Sequence, residues 1–127
     1  MYTDLLIKIK NAQQARHEFI KVPFSNMRMA IAELLAKHGY VESVAKKGRL
    51  PKRVIEINLR YDSSRQGAIQ GLTFISKPSL RVYKRAGEIF PVRHGHGMGV
   101  ISTPQGIMTY NEAKKAKTGG QALFEIW

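Results

Sequence analysis

The feature of the sequence that most limits the fold is the pattern of glycine, hydroxyl and apolar residues in its C-terminal third. Glycines within 95–99 lead into a strand that ends in two adjacent hydroxyl residues, Ser102 and Thr103. A capping-box pattern opens a short helix at 109–117, and a double glycine at 119–120 leads into a terminal apolar strand. These elements predict a rigid platform of small hydrogen-bonding groups and bare backbone, which suits close contact with a folded polyanion.

The charge balance of the chain indicates a nucleic-acid partner. The 127 residues include 21 Lys or Arg and 9 Asp or Glu, which gives a formal net charge of +12. Residues 1–62 and 63–127 each carry +6, so the fold, and not a basic tail, has to build the positive surface. An anionic membrane surface is the second class of partner, and the absence of a basic amphipathic helix with an aromatic face disfavours it.

Composition excludes several other classes of protein. The chain has no cysteine, which rules out a disulfide framework and thiolate metal sites. Because no run approaches 18 or so apolar residues, we expect neither a membrane span nor a signal peptide. A hydrophobic content of 43% supports a packed core. These features are typical of a globular protein in a reducing compartment.

Hydrophobic periodicity predicts an α+β fold of two small lobes, 1–62 and 63–127, with the polar stretch 62–67 as the linker. The first lobe is predicted to be helix, strand, helix, strand, strand. Its first predicted helix has Thr3 as its N-cap, and its apolar face consists of Leu5, Ile9 and Ala12. Its second predicted helix lies between the N-cap Ser25 and the terminating Gly39, and its apolar face consists of Met27, Ile31, Leu34 and Leu35. Its first predicted strand is 19–22 and ends before Pro23, and its second is 40–45, followed by a basic turn at 46–51. The third predicted strand is 54–59, with Ile55, Ile57 and Leu59 facing inward.

The second lobe is predicted to be rich in strands, with one short helix packed on them. Its predicted elements are strands at 72–75 and 80–84, a brief helical turn at 88–92, strands at 99–103 and 107–108, the helix that begins at the Thr109 cap, and a final strand at 122–127.

Two histidines and three glycines near residue 95 raise alternative functions. His94 and His96 would share one face of a strand, and with a nearby cation they could form an acid–base pair that cleaves RNA. Exposed or phosphate-contacting histidines are the simpler interpretation, and no neighbouring carboxylate or thiolate completes a metal site. Gly95, Gly97 and Gly99 lack the spacing of a dinucleotide-binding loop. We therefore expect no catalytic residue, no metal and no cofactor.

Aromatic, basic and hydroxyl residues form two candidate contact sites. The segment 83–85, Tyr-Lys-Arg, follows Lys77 and Arg81 and combines a stacking surface with cations, as many RNA-binding surfaces do. A half-buried tyrosine flanked by solvated charges is the alternative. Ser102 and Thr103 either donate hydrogen bonds to phosphate, ribose or base edges, or belong to an ordinary turn. A sequence-indifferent nucleic-acid condenser is a further alternative to specific RNA binding.

A series of short motifs runs along nearly the whole chain. They are Lys10-Asn11-Ala12-Gln13 with Arg16-His17, Val22-Pro23 before Ser25, Gly39-Tyr40, Ile75-Ser76-Lys77-Pro78, Arg81-Val82-Tyr83, Gly95-x-Gly97, Ser102-Thr103, Gly106, Thr109, Glu112-Ala113 and Gly119-Gly120. In this order they resemble the bacterial type of the small-subunit ribosomal protein S8 family.

The resemblance implies a structural RNA-binding protein and not an enzyme. Members of this family are primary binders of the central domain of small-subunit ribosomal RNA, where they grip an irregular helix and nucleate assembly. Bacterial members also repress translation of their own operon by binding a similar RNA. The implied partners are therefore this ribosomal RNA, neighbouring small-subunit ribosomal proteins and the operon mRNA, and the implied location is the small subunit in the cytoplasm.

The resemblance also implies which residues contact RNA. The hydroxyl loop and the tyrosine with its basic neighbours are the family's main contacts. The predicted RNA-binding residues are Ser76, Lys77, Tyr83, Lys84, Ser102, Thr103, Pro104, Gly119, Gly120 and Gln121 in the second lobe, and Arg28 and Lys52 in the first. Loss of either adjacent hydroxyl is expected to weaken RNA binding without destabilising the fold.

Three positions depart from the family's pattern. Pro104 replaces a third hydroxyl, which removes a hydrogen-bonding group and stiffens the loop. Gln121 replaces a glutamate and keeps an acceptor without the charge. Asn26 replaces a lysine, so the predicted RNA contact of the first lobe rests on Arg28.

Overall fold

The computed structural model describes residues 2–49, 52–64, 66–77, 79–89 and 97–127. Three helices and two antiparallel sheets in these ranges confirm the predicted α+β class. The chain divides into two compact units, residues 1–68 and 69–127, and each unit contains one sheet.

The first unit has the predicted order of elements. They are α1 (Tyr2–Gln14), β1 (Phe19–Pro23), α2 (Asn26–Lys37), β2 (Val41–Lys47) and β3 (Val54–Leu59). Antiparallel pairing places β3 between β1 and β2. Two predicted boundaries shift. Strand β1 includes Pro23, because an edge strand tolerates a residue without an N–H group. Strand β2 runs through Lys47, which shortens the predicted basic turn.

Alternation along β1 and β3 builds the core of the first unit. Ile20 pairs with Ile57 and Val22 with Ile55, and all four side chains are buried. The helices add the buried residues Leu5, Ile9, Ala12, Ile31, Ala32 and Leu35. Because each large apolar side chain contributes about 1.5–3 kcal/mol on burial, these stripes hold the helices in place. The predicted faces are thus confirmed, except that Met27 and Leu34 are only half-buried.

Local capping explains where the helices of the first unit begin and end. The Ser25 hydroxyl accepts the backbone N–H of Arg28 at 3.1 Å, which confirms it as the N-cap of α2. Gly39 follows the end of that helix with φ +82°, which confirms its role in termination. Thr3 as an N-cap is wrong, because α1 already begins at Tyr2 and Thr3 lies within its first turn.

The described residues of the predicted linker 62–67 form hydrogen bonds with one another within the first unit. The Asp62 carboxylate accepts the backbone N–H groups of Ser64 and Gln66, each at 2.8 Å. Tyr61 and Gly67 form an antiparallel bridge at the base of the loop. Side-chain acceptance of successive N–H groups is the usual behaviour of Asp in a tight turn. These polar residues, which are typical of a flexible linker, therefore form a hydrogen-bonded loop instead.

The described residues of the second unit form a five-stranded sheet with one α-helix. Its elements are β4 (Leu72–Phe74), β5 (Tyr83–Lys84), a single 3-10 turn (Ala86–Glu88), β6 (Met98–Thr103), β7 (Gly106–Thr109), α3 (Tyr110–Lys115) and β8 (Gly120–Ile126). The predicted strand at 80–84 is shorter than expected, because Leu80 turns back to bond with Lys77. The predicted helical turn at 88–92 begins earlier, at Ala86, and its residues beyond 89 lie outside the described residues.

Strand β8 organises this sheet. It pairs with β4 and β5 on one side and with β6 on the other, while β7 pairs with β6. Helix α3 begins at Thr109, whose hydroxyl accepts the backbone N–H of Glu112 at 3.2 Å, as the capping pattern predicts. The helix buries Tyr110 and Ala113 against Ile101 of β6 and Ala122 of β8. The ends of β5, β6 and β8 are thereby fixed side by side.

Candidate nucleic-acid interface

Three predicted contact residues lie in one row across the sheet of the second unit. Tyr83 of β5 pairs with Gln121 of β8, and Gln121 pairs with Ser102 of β6. Directly opposed residues of antiparallel strands share a face, with Cβ atoms about 5 Å apart. Tyr83 is 66% exposed, and the other two are partly exposed. The row therefore presents an aromatic ring, an amide and a hydroxyl on one accessible surface.

The double glycine lets β8 approach its two neighbours closely. A Cβ on Gly119 would lie 2.3 Å from the carbonyl oxygen of Lys84 on β5. A Cβ on Gly120 would lie 2.0 Å from the carbonyl oxygen of Ser102 on β6. Both obstacles are backbone atoms, which cannot rotate away. The glycines are thus required by packing, and they also leave bare backbone beside the exposed row.

Thr103 points away from this row, because successive residues of a strand face opposite sides of the sheet. Its side chain is 8% exposed, and its hydroxyl is used within the β6–β7 turn. The hydroxyl donates to the Gly106 carbonyl at 2.8 Å and accepts the Gln105 N–H at 3.1 Å. Thr103 therefore shapes the turn that carries Pro104, which is exposed. This changes the expectation that its loss would leave the fold undisturbed.

Replacement of Thr103 by valine, which keeps the shape and removes the hydroxyl, is expected to destabilise the fold by about 1–2 kcal/mol. The variant loses the bond to Gly106 and leaves the Gln105 N–H without its acceptor. Chemical denaturation measures the free energy of unfolding. Ser102→Ala is the adjacent control and is expected to change it by less than about 0.5 kcal/mol. Equal stability of the valine variant and the wild type would contradict this role.

Ser76 also turns out to be structural. Its side chain is 1% exposed, its hydroxyl accepts the Val82 N–H at 2.9 Å, and it donates to the Ala122 carbonyl. These partners and this burial give Ser76 a structural role, while its role as an RNA contact stays a prediction. Lys77 is exposed and begins the turn that returns at Leu80. Of this pair, the lysine alone remains accessible.

Lys84 lies on the opposite side of the sheet from Tyr83, above a buried tyrosine. Its Nζ is 5.5 Å from the centre of the Tyr110 ring, within the range of a cation–π interaction. The Tyr110 hydroxyl donates to Glu125 at 3.4 Å. Burial, reinforced by the Glu125 charge and this hydrogen bond, raises the pKa of Tyr110 above its ordinary value. The ring therefore stays neutral and supports the lysine ammonium at a fixed position.

A groove of about 480 Å³ opens beside this lysine. It is lined by Tyr83, Lys84, Arg85, Ala86, Glu88, Lys117, Gly119 and Gly120. Arg85 belongs to the candidate segment 83–85 but is not among the RNA-binding residues that the resemblance implies, and Lys117 belongs to neither set. The adjacent Tyr-Lys-Arg segment gave a signal for Arg85, whereas Lys117 comes into the groove only through the turn that ends α3.

The remaining two predicted residues belong to the first unit. Arg28 lies in the first turn of α2, and its guanidinium donates to the Pro23 carbonyl at 3.4 Å. Lys52 is exposed near the tip of the β2–β3 hairpin. In the same hairpin, the charges of Lys46 and Arg53 lie 5.4 and 5.7 Å from the ring centre of Phe24. Lys46, Lys52 and Arg53 are thus basic residues of one hairpin, which is separate in sequence from the groove.

Comparison with known proteins identifies the family of this chain. The family model described as Ribosomal protein S8 matches residues 1–127. The chain belongs to the ribosomal protein S8 family. Two relatives named small ribosomal subunit protein uS8 are matched over 98% of this chain and 94% of their own length. The protein of Thermoanaerobacter sp. (strain X514) is 43% identical to this chain, and that of Roseiflexus castenholzii (strain DSM 13941 / HLO8) is 38% identical. That of Mycoplasmopsis synoviae (strain 53) is 40% identical over 98% of this chain and 95% of the relative. The resemblance seen in the motifs is confirmed.

The three positions at which we expect a departure from the family's pattern lie at accessible places. Pro104 is exposed in the β6–β7 turn, and Asn26 is exposed as the first residue of α2. Gln121 lies in the middle of the exposed row, between Tyr83 and Ser102. A difference at any of these positions therefore affects the surface of this S8 protein and not its core.

The alternative sites fall outside what the structure can place. His94, His96 and Gly95 lie outside the described residues. Within the described ranges, no group of three His, Cys, Asp or Glu side chains is arranged to hold a metal ion. None of the helices in those ranges is long and apolar enough to cross a bilayer.

Proposed function

We propose that this S8-family protein is a structural component of the small ribosomal subunit, works in the cytoplasm and binds ribosomal RNA directly. The observation that carries the proposal is the row of Tyr83, Gln121 and Ser102, whose tyrosine also lines a groove that contains three basic residues. The relatives' names, which place them in the small ribosomal subunit, support the same role. The proposed role is structural and not enzymatic.

The chemistry of the row suits recognition of RNA by shape. An exposed aromatic ring can stack on a base or sugar, and short polar side chains can bond to ribose hydroxyls and base edges. The bare backbone of Gly119 and Gly120 allows an RNA strand to approach closely. Such a surface fits an irregular helix better than a uniform duplex, because an unstacked base can reach the ring.

We further propose that the RNA is an irregular helix in the central domain of small-subunit ribosomal RNA, where the protein binds early and nucleates assembly. Neighbouring small-subunit proteins and the chain's own operon mRNA are the other proposed partners. The first unit would add phosphate contacts through Arg28 and Lys52. The net charge of +12 supports binding of this kind, because phosphate contacts supply much of the affinity of RNA-binding proteins.

Replacement of Ser102 by alanine is expected to weaken binding of a central-domain RNA fragment by about fivefold, the effect of one lost hydrogen bond of about 1 kcal/mol. Ser102 is the partly exposed member of the hydroxyl pair, so its fold contribution is small. Filter-binding titrations of the wild type and the variant measure the dissociation constants. Thr73→Ala removes an exposed hydroxyl from β4 of the same sheet and is the control. Equal weakening by both variants would contradict the assigned interface.

A further inference from the structure

The end of α3 holds a lysine in a backbone conformation that lysine rarely adopts. Lys117 has φ +53°, in the left-handed region where a Cβ crowds the neighbouring carbonyl. It follows the helix C-cap Ala116, and its N–H donates to the Lys114 carbonyl at 3.2 Å. Glycine would close the helix in the same way without this strain. Helix termination alone therefore does not account for a lysine here.

The same residue lines the groove together with Lys84 and Arg85. Glu88 is the acidic residue on the lining, and its carboxylate is held at 3.1 Å by the backbone N–H of Arg85. The double glycine at 119–120 adds only backbone to the groove. A space of about 480 Å³ with three cations around it has room for a nucleotide and the charge to hold its phosphate.

The three cations differ in how they are held. The Lys84 ammonium is placed over the Tyr110 ring on a half-buried side chain. Lys117 is exposed and anchored only through its strained backbone. Strained backbone at a charged residue in a groove is a recognised sign of a functional site. We propose that Lys117 contacts an RNA phosphate in this groove, so that the protein gains RNA affinity at a cost in fold stability. This inference rests on the proposed binding of ribosomal RNA.

Lys117→Gly tests the proposal because it removes the cation and the strain together. The midpoint of unfolding is expected to rise, while the dissociation constant for the central-domain fragment increases roughly tenfold at about 0.15 M salt. The slope of log affinity against log salt concentration should become shallower by roughly one unit. Opposite signs for stability and binding are not expected of a lysine that serves only to end the helix.

Two controls separate strain from charge. Arg16→Gly relieves the other left-handed basic residue in the described ranges, φ +60° after α1, and should also raise the unfolding midpoint. Lys115→Ala removes an exposed charge from α3 that does not line the groove, and should leave the salt slope nearly unchanged. Equal salt slopes for the Lys117→Gly variant and the wild type would overturn the assignment. Equal losses of RNA affinity in the Lys115→Ala and Lys117→Gly variants would overturn it as well. A wild type with no preference for the fragment would overturn the proposed function and this assignment together.

Discussion

Gly120→Ala is expected to destabilise the fold by about 3 kcal/mol and to abolish measurable preference for the RNA fragment. The added methyl group would lie 2.0 Å from the Ser102 carbonyl oxygen, so strands β8 and β6 must move apart. That movement displaces the row formed by Tyr83, Gln121 and Ser102. The only tryptophan of the chain, Trp127, belongs to the second unit, so its fluorescence during chemical denaturation reports this loss.

Gly87→Ala is the matched control for this substitution. A Cβ on Gly87 meets no heavy atom within 4 Å, and the residue lies in the 3-10 turn near the same groove. Its free energy of unfolding should stay within about 0.5 kcal/mol of the wild type. If both alanine variants unfold like the wild type, the close packing of β8 against β6 is not what fixes the interface.

Ser76→Ala is expected to cost about 2–4 kcal/mol of fold stability, although serine and alanine differ by a single oxygen. The hydroxyl accepts the Val82 N–H and donates to the Ala122 carbonyl, so it joins the segment before β5 to β8. Its loss leaves the Val82 N–H and the Ala122 carbonyl without this partner at a site that is 1% exposed, and burying a polar group without a hydrogen bond is costly. Denaturation followed by Trp127 fluorescence measures the change.

The control for this prediction is Ser79→Ala, which removes an exposed hydroxyl from the adjoining turn. It is expected to leave the free energy of unfolding within about 0.5 kcal/mol of the wild type. If the Ser76 variant retained full stability and lost only RNA affinity, Ser76 would be a contact residue, and its structural role would be contradicted.

Sequence reasoning succeeded where the deciding interactions are local or periodic. The order of elements in the first unit follows from apolar spacing, and the N-cap Ser25 and the terminator Gly39 act within one turn of α2. It failed at Thr3, because nothing in the local pattern distinguishes a cap from a first-turn residue. The polar sequence of residues 62–67 predicts a linker because a hydrogen-bonded turn and a flexible linker use the same polar residues.

The candidate site was harder to predict, because pairing between distant strands decides which side chains face outward. Ser102 and Thr103 are adjacent and chemically alike, yet their side chains lie on opposite faces of the sheet because successive residues of a strand alternate in direction. The sequence could show that one of the two would be turned inward, but not which one. Lys117 was missed because its left-handed backbone and its place in the groove come from tertiary structure. Tyr83 is placed on the surface by the pairing of β5 with Gln121, a contact across 38 positions of sequence.

The most direct test of the central claim is a competition titration of the wild-type protein with a central-domain ribosomal RNA fragment against a scrambled duplex of equal length. At about 0.15 M salt, where nonspecific binding is already weakened, the fragment is expected to bind on the order of a hundredfold more tightly or better. Equal affinities for the fragment and the scrambled duplex would contradict specific ribosomal RNA binding and would describe a sequence-indifferent nucleic-acid condenser instead.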